Sequence, residues 1–131
     1  MEAFCYDKDM RHTVRGIILK NKQILLVTGH GADFYWTPGG GVEFNETIIE
    51  TLHREIKEEL GVLVKTYEPY YSYEYADQKV ENFIIEIDGD IKVGEEITNF
   101  AWYSSASEDI KPSDGFLNTL RPQLIKDGLL N

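Results

Sequence analysis

Cysteine is nearly missing from this chain: Cys5 is the single one among 131 residues. No intrachain disulfide can form, and His12, His30 and His53 sit near no second cysteine at zinc-site spacing. Cys5 reads as an inert thiol near the start. Proline is scarce too, at four residues, and no repeat, low-complexity tract or linker divides the sequence. No apolar run approaches the roughly 18 residues of a membrane span, and the opening Met1-Glu2-Ala3-Phe4-Cys5-Tyr6-Asp7 has neither a basic leader nor an apolar h-region. The expectation is one cytoplasmic domain over residues 1–131, with no membrane partner. Positive charge is also in deficit, 13 Lys and Arg against 23 Asp and Glu, for a net charge of −10. Duplex nucleic acid and anionic membranes are gripped by a basic face, so neither is an expected partner.

What is present suffices for a packed core: 42% of residues are apolar and 12% aromatic. Thr13 to Leu19 and Gln23 to Thr28 are β-rich runs separated by Lys20-Asn21-Lys22, a hairpin expected to lie buried in a sheet. Gly29 to Gly41 reads as a mobile loop, rich in glycine and carrying Phe34, Tyr35 and Trp36; loops this long in a small domain are usually functional. From Glu46 to Leu60 the spacing predicts a helix with Ile49, Leu52, Ile56 and Leu60 on one apolar stripe, capped by Asn45 or Thr47 and stopped by Gly61. Strands are expected over 62–75, 80–87 and 99–104, and a C-terminal helix over 114–126 that Pro122 interrupts. The fold class is therefore α/β (α+β).

Within the central helix, Glu55, Glu58 and Glu59 stand at i, i+3 and i+4, so three carboxylates leave one face within about a turn. Like charges so placed cost a helix a few tenths of a kcal/mol per pair, roughly, and more as water is excluded. Either solvent or a divalent cation compensates them. Taken alone, Lys57-Glu58-Glu59 is most often a solvated helix face. Upstream, however, Trp36-Thr37-Pro38-Gly39-Gly40-Gly41 brings a glycine turn to the helix entrance, where backbone can approach a ligand without Cβ obstruction. Carboxylates plus a backbone carbonyl form the oxygen-only set that a hard ion such as Mg²⁺ prefers.

The span Gly40 to Val62, GGVEFNETIIETLHREIKEELGV, fits every fixed position of Gx5Ex7REUxEExGU with U aliphatic: Gly40, Glu46, Arg54, Glu55, Ile56, Glu58, Glu59, Gly61 and Val62. In this the chain resembles the Nudix hydrolase (MutT-like) superfamily, and its order of predicted elements resembles the family core along nearly the whole length. The resemblance implies a mixed β-sheet sandwiched between helices, an α/β/α sandwich. It implies hydrolysis of a nucleoside diphosphate linked to a group X with Mg²⁺, Mn²⁺ being a substitute. Laid onto these positions, it makes Glu58, Glu59 and the carbonyl of Gly39 metal ligands, and Glu55 a ligand or the general base. Arg54 and Glu46 become supports that hold the loop against the helix, and Gly40 and Gly61 structural residues. Many members add a glutamate from the loop before a Trp-bearing strand; of Glu95 and Glu96, ahead of Trp102, the resemblance points to Glu96 as a further ligand or base, the alternative being two solvated glutamates in the turn Lys92 to Glu96.

Family signatures for particular X groups are missing: Asp77 and Gln78 stand where a Pro marks ADP-ribose-type enzymes and a Tyr dinucleoside polyphosphate enzymes, and there is no SQPW element. The default substrate is a nucleoside triphosphate or another small nucleotide. Tyr67, Tyr71, Tyr73 and Tyr75 would share one face of a strand and either stack a base or pack the sheet, with Phe34, Tyr35 and Trp36 as rivals; His30 and His53 are candidate substrate contacts, although a lone helical histidine such as His53 beside Arg54 is more often a surface residue. A non-catalytic nucleotide sensor or scaffold is the alternative, but such domains usually lose box carboxylates, and all are kept here. The sequence leaves a homodimer open. Between Glu43 and Glu59 six glutamates face only Arg54 and Lys57, so bound Mg²⁺ would reverse the sign of the site and turn an acidic chain toward a small phosphorylated ligand.

Overall fold

The computed structural model describes residues 10–131; Cys5 and the opening segment lie outside the described residues. Seven strands and two helices follow in the order β1 (Arg11–Ile17), β2 (Leu19–Lys20), β3 (Gln23–Gly29), β4 (Gly39–Gly41), α1 (Ile48–Leu60), β5 (Leu63–Tyr75), β6 (Gln78–Asp88), β7 (Ile97–Tyr103) and α2 (Arg121–Lys126). They form a four-stranded sheet ordered β4-β1-β6-β5 and a three-stranded sheet ordered β2-β3-β7. β1 runs parallel to β6 and antiparallel to β4, so the larger sheet is mixed, as expected. A parallel pair needs a long crossover, and α1 lies within it.

Alternation along β1 and β3 divides the core in two. Val14, Leu25 and Val27 face α1 and meet its Leu52, Ile56 and Leu60, whereas Ile17, Ile24 and Leu26 face the C-terminal segment and meet Phe116, Leu120 and Leu124. Leu52, Ile56 and Leu60 are fully buried, each contributing about 1.5–3 kcal/mol by removal from water. Ile49, at the edge of that stripe, is only half-buried. Among the described residues, no helix is long and apolar enough to cross a membrane.

Local chemistry sets the element ends. Asn21 and Lys22 take φ of 53° and 58°, the primed-turn geometry that suits a two-residue hairpin between β2 and β3. Thr47 is the N-cap of α1: its side chain accepts from the Glu50 N–H at 3.1 Å while the Glu50 carboxylate accepts from the Thr47 N–H at 2.9 Å. The helix thus begins two residues later than the apolar pattern suggested, and it ends at Gly61 in a left-handed cap.

Three expectations change. The run Thr13 to Leu19 is not one hairpin strand: it breaks at Ile18, so that β1 joins the larger sheet and the hairpin to β3 is made by Leu19 and Lys20 alone. The C-terminal helix is not uniform: a π-helical turn, Phe116–Leu120, precedes α2, and the Arg121 N–H reaches back to the Phe116 carbonyl. Pro122, in the first turn of α2, has no N–H to continue an ordinary ladder, and the wider turn absorbs the mismatch. The tyrosines of β5 do not share a face. A bulge between Pro69 and Tyr71 inverts the alternation. Tyr67 turns toward α1, edge-on to His53 and Phe83 at 6.1 and 6.0 Å, while Tyr71 and Tyr73 pack on the opposite side with the C-terminal segment.

Candidate active site

α1 and the segment before β7 build one wall each of a cavity of about 370 Å³, lined by Glu55, Glu58, Glu59, Glu95, Glu96 and Ile97. The second wall is fixed by the end of the helix itself. Lys92 N–H donates to the Leu60 carbonyl at 2.8 Å and Gly94 N–H to the Glu59 carbonyl at 3.0 Å, so the last carbonyls of α1, which have no partner within the helix, recruit the loop. A Cβ at Gly94 would lie 2.1 Å from the Glu58 carbonyl oxygen; glycine permits the contact that delivers Glu95 and Glu96 to the cavity.

The glycine turn closes the site from the other side. Gly39, Gly40 and Gly41 pair with Arg15, Val14 and Thr13 as β4, and the Gly39 N–H donates to Glu59 Oε1 at 3.1 Å. A Cβ at Gly40 would stand 2.3 Å from Glu55 Oε2, so the carboxylate occupies the space that a side chain would take. Arg54 ties the loop to the helix. It meets Glu46 with both arms, Nε to Oε2 at 2.6 Å and Nη2 to Oε1 at 3.0 Å, and its Nη1 reaches Glu55 Oε2 at 3.2 Å and Glu58 Oε1 at 3.3 Å. Thr51 Oγ1 adds a 2.8 Å bond to Glu46.

These contacts pull the carboxylates apart electrostatically. Hydrogen bonds from Arg54 and Thr51 hold Glu46 down at about 2 and the same pairing raises Arg54. Burial pushes Glu55 up, with Arg54 opposing it, and pushes Glu59 up to about 7, with the Gly39 N–H opposing it. Glu46 is paired with Arg54, whereas Glu55 and Glu59 carry charge that the protein leaves undercompensated. Among the described residues no three acidic, histidine or cysteine side chains stand as a formed cation site, because Glu55 and Glu58 turn to Arg54 and Glu59 to Gly39. The donor set still fits a hard divalent ion: carboxylate oxygens beside a glycine backbone, with negative charge that burial makes costly.

The structure thus gathers Glu55, Glu58, Glu59 and Glu96 about one cavity, with Gly39 joined to it through its N–H on Glu59 and Arg54, Glu46, Gly40 and Gly61 around them. His30, itself exposed, has Nε2 3.6 Å from Glu96 Oε1; His53 lies on the far surface against Tyr67. A second cavity, of about 400 Å³, opens between Phe34, Trp36, Tyr73, Tyr75 and Phe116, with Arg15 in its wall. Members of both rival sets of aromatics therefore meet in one place, whereas Tyr67, Tyr71 and Tyr35 do not line it. The segment carrying Phe34 and Trp36 is not a free loop: Trp36 bonds Val27 in both directions at 2.7 and 2.8 Å, and Tyr35 bonds Lys111 and Ser113 at 2.8 Å each.

Sequence reasoning missed Arg15, Gly94 and Gln78, which also lines the second cavity. A lone arginine inside the apolar run Thr13 to Leu19 was the available signal for Arg15, since a charged residue in a buried strand needs a reason.

A family model described as the NUDIX domain matches residues 10–116. An ADP-ribose pyrophosphatase of Methanocaldococcus jannaschii is 34% identical over a match covering 63% of this chain and 55% of that protein. An RNA pyrophosphohydrolase of Halorhodospira halophila is 45% identical over 36% of this chain and 27% of its own length. The chain thus spans about half or less of these curated relatives. A solved structure of a nudix hydrolase family member from Chromobacterium violaceum superposes with a TM-score of 0.78 at 22% identity, covering 92% of this chain and 80% of that one. A MutT NUDIX hydrolase from Burkholderia pseudomallei gives 0.75 at 19% identity over 86% and 97%; at such identities the likeness speaks for the fold. Together with the gathered box residues, the match over residues 10–116 shows that this chain belongs to the NUDIX family.

Proposed function

We propose that this chain is a Mg²⁺-dependent hydrolase, with Mn²⁺ as a substitute ion, acting in the cytoplasm on the pyrophosphate bond of a small nucleotide, a nucleoside triphosphate or similar nucleoside diphosphate derivative. The observation that carries the reading is the carboxylate wall of Glu55, Glu58 and Glu59, with Glu55 and Glu59 undercompensated, facing Glu96 across a cavity of about 370 Å³. Glu58, Glu59 and the Gly39 carbonyl hold the ion, with Glu55 or Glu96 completing the set. When bound, it supplies the positive charge that phosphate oxygens need as water attacks phosphorus. Arg54 cannot supply that charge, being engaged by Glu46, Glu55 and Glu58.

The chain's own residues do the rest. Glu55 or Glu96 takes the proton of the attacking water, and burial that raises Glu55 makes it a better base near neutral pH. Arg54 and Glu46 keep the carboxylates aimed, while the glycine turn brings backbone to the same point. The P–O bond of the anhydride breaks, giving a nucleoside monophosphate and phosphate-X. The aromatic cavity takes the nucleoside, stacking being worth about 1–3 kcal/mol per base. The names of the two curated relatives agree with anhydride cleavage, and a net charge of −10 disfavours a long RNA body.

The test is a panel of nucleoside triphosphates, nucleotide sugars and dinucleotides with Mg²⁺, identifying both products of each. Glu58→Gln should cut turnover by orders of magnitude and leave the fold intact. Near-wild-type activity in that variant, or nucleotide binding without turnover of any substrate, would overturn the reading, the latter in favour of a sensor.

A further inference from the structure

Arg15 is set apart from the other charged groups around the site. Its guanidinium is deep among protein atoms, where burial lowers its pKa, and what accessibility it keeps opens onto the aromatic cavity, whose wall it forms. Among the described residues its one hydrogen bond is from Nη1 to the Thr37 carbonyl at 3.0 Å, and no carboxylate comes within ion-pair distance. Among the described residues the other four N–H donors of the fork have no protein acceptor. Arg15 is half-buried, so a guanidinium largely withdrawn from water still borders the aromatic cavity, where an anionic or oxygen-rich ligand would satisfy it.

The position of Arg15 identifies what arrives. It lines the aromatic cavity beside Tyr73 and pairs with Gly39, whose N–H holds Glu59, so it lies between the carboxylate wall and the aromatic cavity; Glu59, Tyr73 and Glu55 act on its charge, with Arg11 opposing them. The backbone of β1 explains this, since Arg15 pairs with Gly39 across the strand edge. A ligand with its base among Phe34, Trp36 and Tyr75 and its outer phosphates at the carboxylates would pass its first phosphate over Arg15.

We propose that Arg15 is the phosphate-binding residue of the aromatic cavity, gripping the 5′-phosphate of the nucleotide on the nucleoside side of the scissile bond. The inference rests on the proposed nucleotide substrate but not on hydrolysis. A planar fork suits two phosphate oxygens, which a lysine ammonium meets only as a point charge.

The experiment is binding of nucleosides and their 5′-monophosphates in EDTA, so that no metal contributes, read by calorimetry and by the change in tryptophan fluorescence, part of which comes from Trp36 in the cavity wall. The wild-type protein should bind a monophosphate at least tenfold more tightly than its nucleoside. Arg15→Gln, whose amide can still donate to the Thr37 carbonyl, should remove that preference while nucleoside affinity stays within about twofold, and Arg15→Lys should restore part of it. Equal wild-type affinity for nucleoside and monophosphate overturns the proposal without recourse to any variant, as does an equal loss of both ligands in a folded Arg15→Gln protein. Preference that depends on Arg15 in a protein that hydrolyses nothing would sink the hydrolase and keep this assignment; hydrolysis without that preference would do the reverse.

Discussion

Replacing Glu59 by Gln should stabilise the metal-free protein at the same time as it ends turnover. Burial raises Glu59 from the ordinary 4.5 to about 7, so the folded state holds the proton more tightly than the unfolded chain. The stability tied to that proton is complete below about pH 4.5 and is lost as pH rises through 7. With each tenfold displacement worth about 1.4 kcal/mol, the ionised side chain costs about 3 kcal/mol at pH 8. Glutamine has the same shape and keeps an oxygen for the Gly39 N–H, which now donates at 3.1 Å, but carries no charge. Urea denaturation in EDTA is the assay. At pH 8 the variant should unfold at a midpoint about 1–3 M higher, given a slope of about 1–3 kcal/mol per molar urea. At pH 5 most of the gain should vanish. Excess Mg²⁺ should raise the wild-type midpoint more than that of the variant, because the ion stabilises the state whose carboxylates it binds. A variant no more stable than wild type at pH 8, or a gain that is the same at pH 5, would refute the assignment of Glu59 as a charge stored against a cation.

Glu46 titrates with the opposite sign: held at about 2 by Arg54 and Thr51, it adds stability above its ordinary 4.5 that is lost as pH falls toward 2. Glu46→Gln should therefore flatten the acid limb of the melting profile between pH 2 and 5, and an unchanged limb would dissociate the pair from stability. Gly40→Ala places a Cβ where Glu55 Oε2 now sits, 2.3 Å away. The carboxylate must swing aside, so kcat/KM should fall at least tenfold with only a small change in melting temperature; wild-type turnover would show that the placement of Glu55 is immaterial.

Sequence and structure agree where the determinants are local. The helix, its cap at Gly61 and the glutamate face follow from spacings within fifteen residues, and short-range geometry allows few alternatives. Where a feature depends on a distant partner, the reading fails. The tyrosines of β5 alternate perfectly on paper, yet one extra residue between Pro69 and Tyr71, set by pairing with β6, sends Tyr67 to one side and Tyr71 and Tyr73 to the other. The loop carrying Phe34 and Trp36 looks free because its anchors, Val27, Lys111 and Ser113, lie elsewhere in the chain. Gly94 is invisible as well: only the approach of its loop to the end of α1, with the Glu58 carbonyl 2.1 Å from where a Cβ would stand, gives that glycine a reason.

Arg15 and Arg54 divide the work that composition seemed to forbid. A chain of net charge −10 has little positive charge to offer a phosphate, and most of what the box contains is consumed internally, since Arg54 contacts Glu46, Glu55 and Glu58. On the proposed function, neutralising a polyphosphate would take cations that arrive with the substrate at the carboxylate wall, plus Arg15, whose guanidinium has no carboxylate within ion-pair distance among the described residues. Such an arrangement would discriminate by length. A short nucleotide would place all its charge where metal and Arg15 could meet it, whereas a long nucleic acid would lay its remaining phosphates along an acidic surface and be repelled. Acidity outside the site would thereby contribute to selecting a small polyanion inside it.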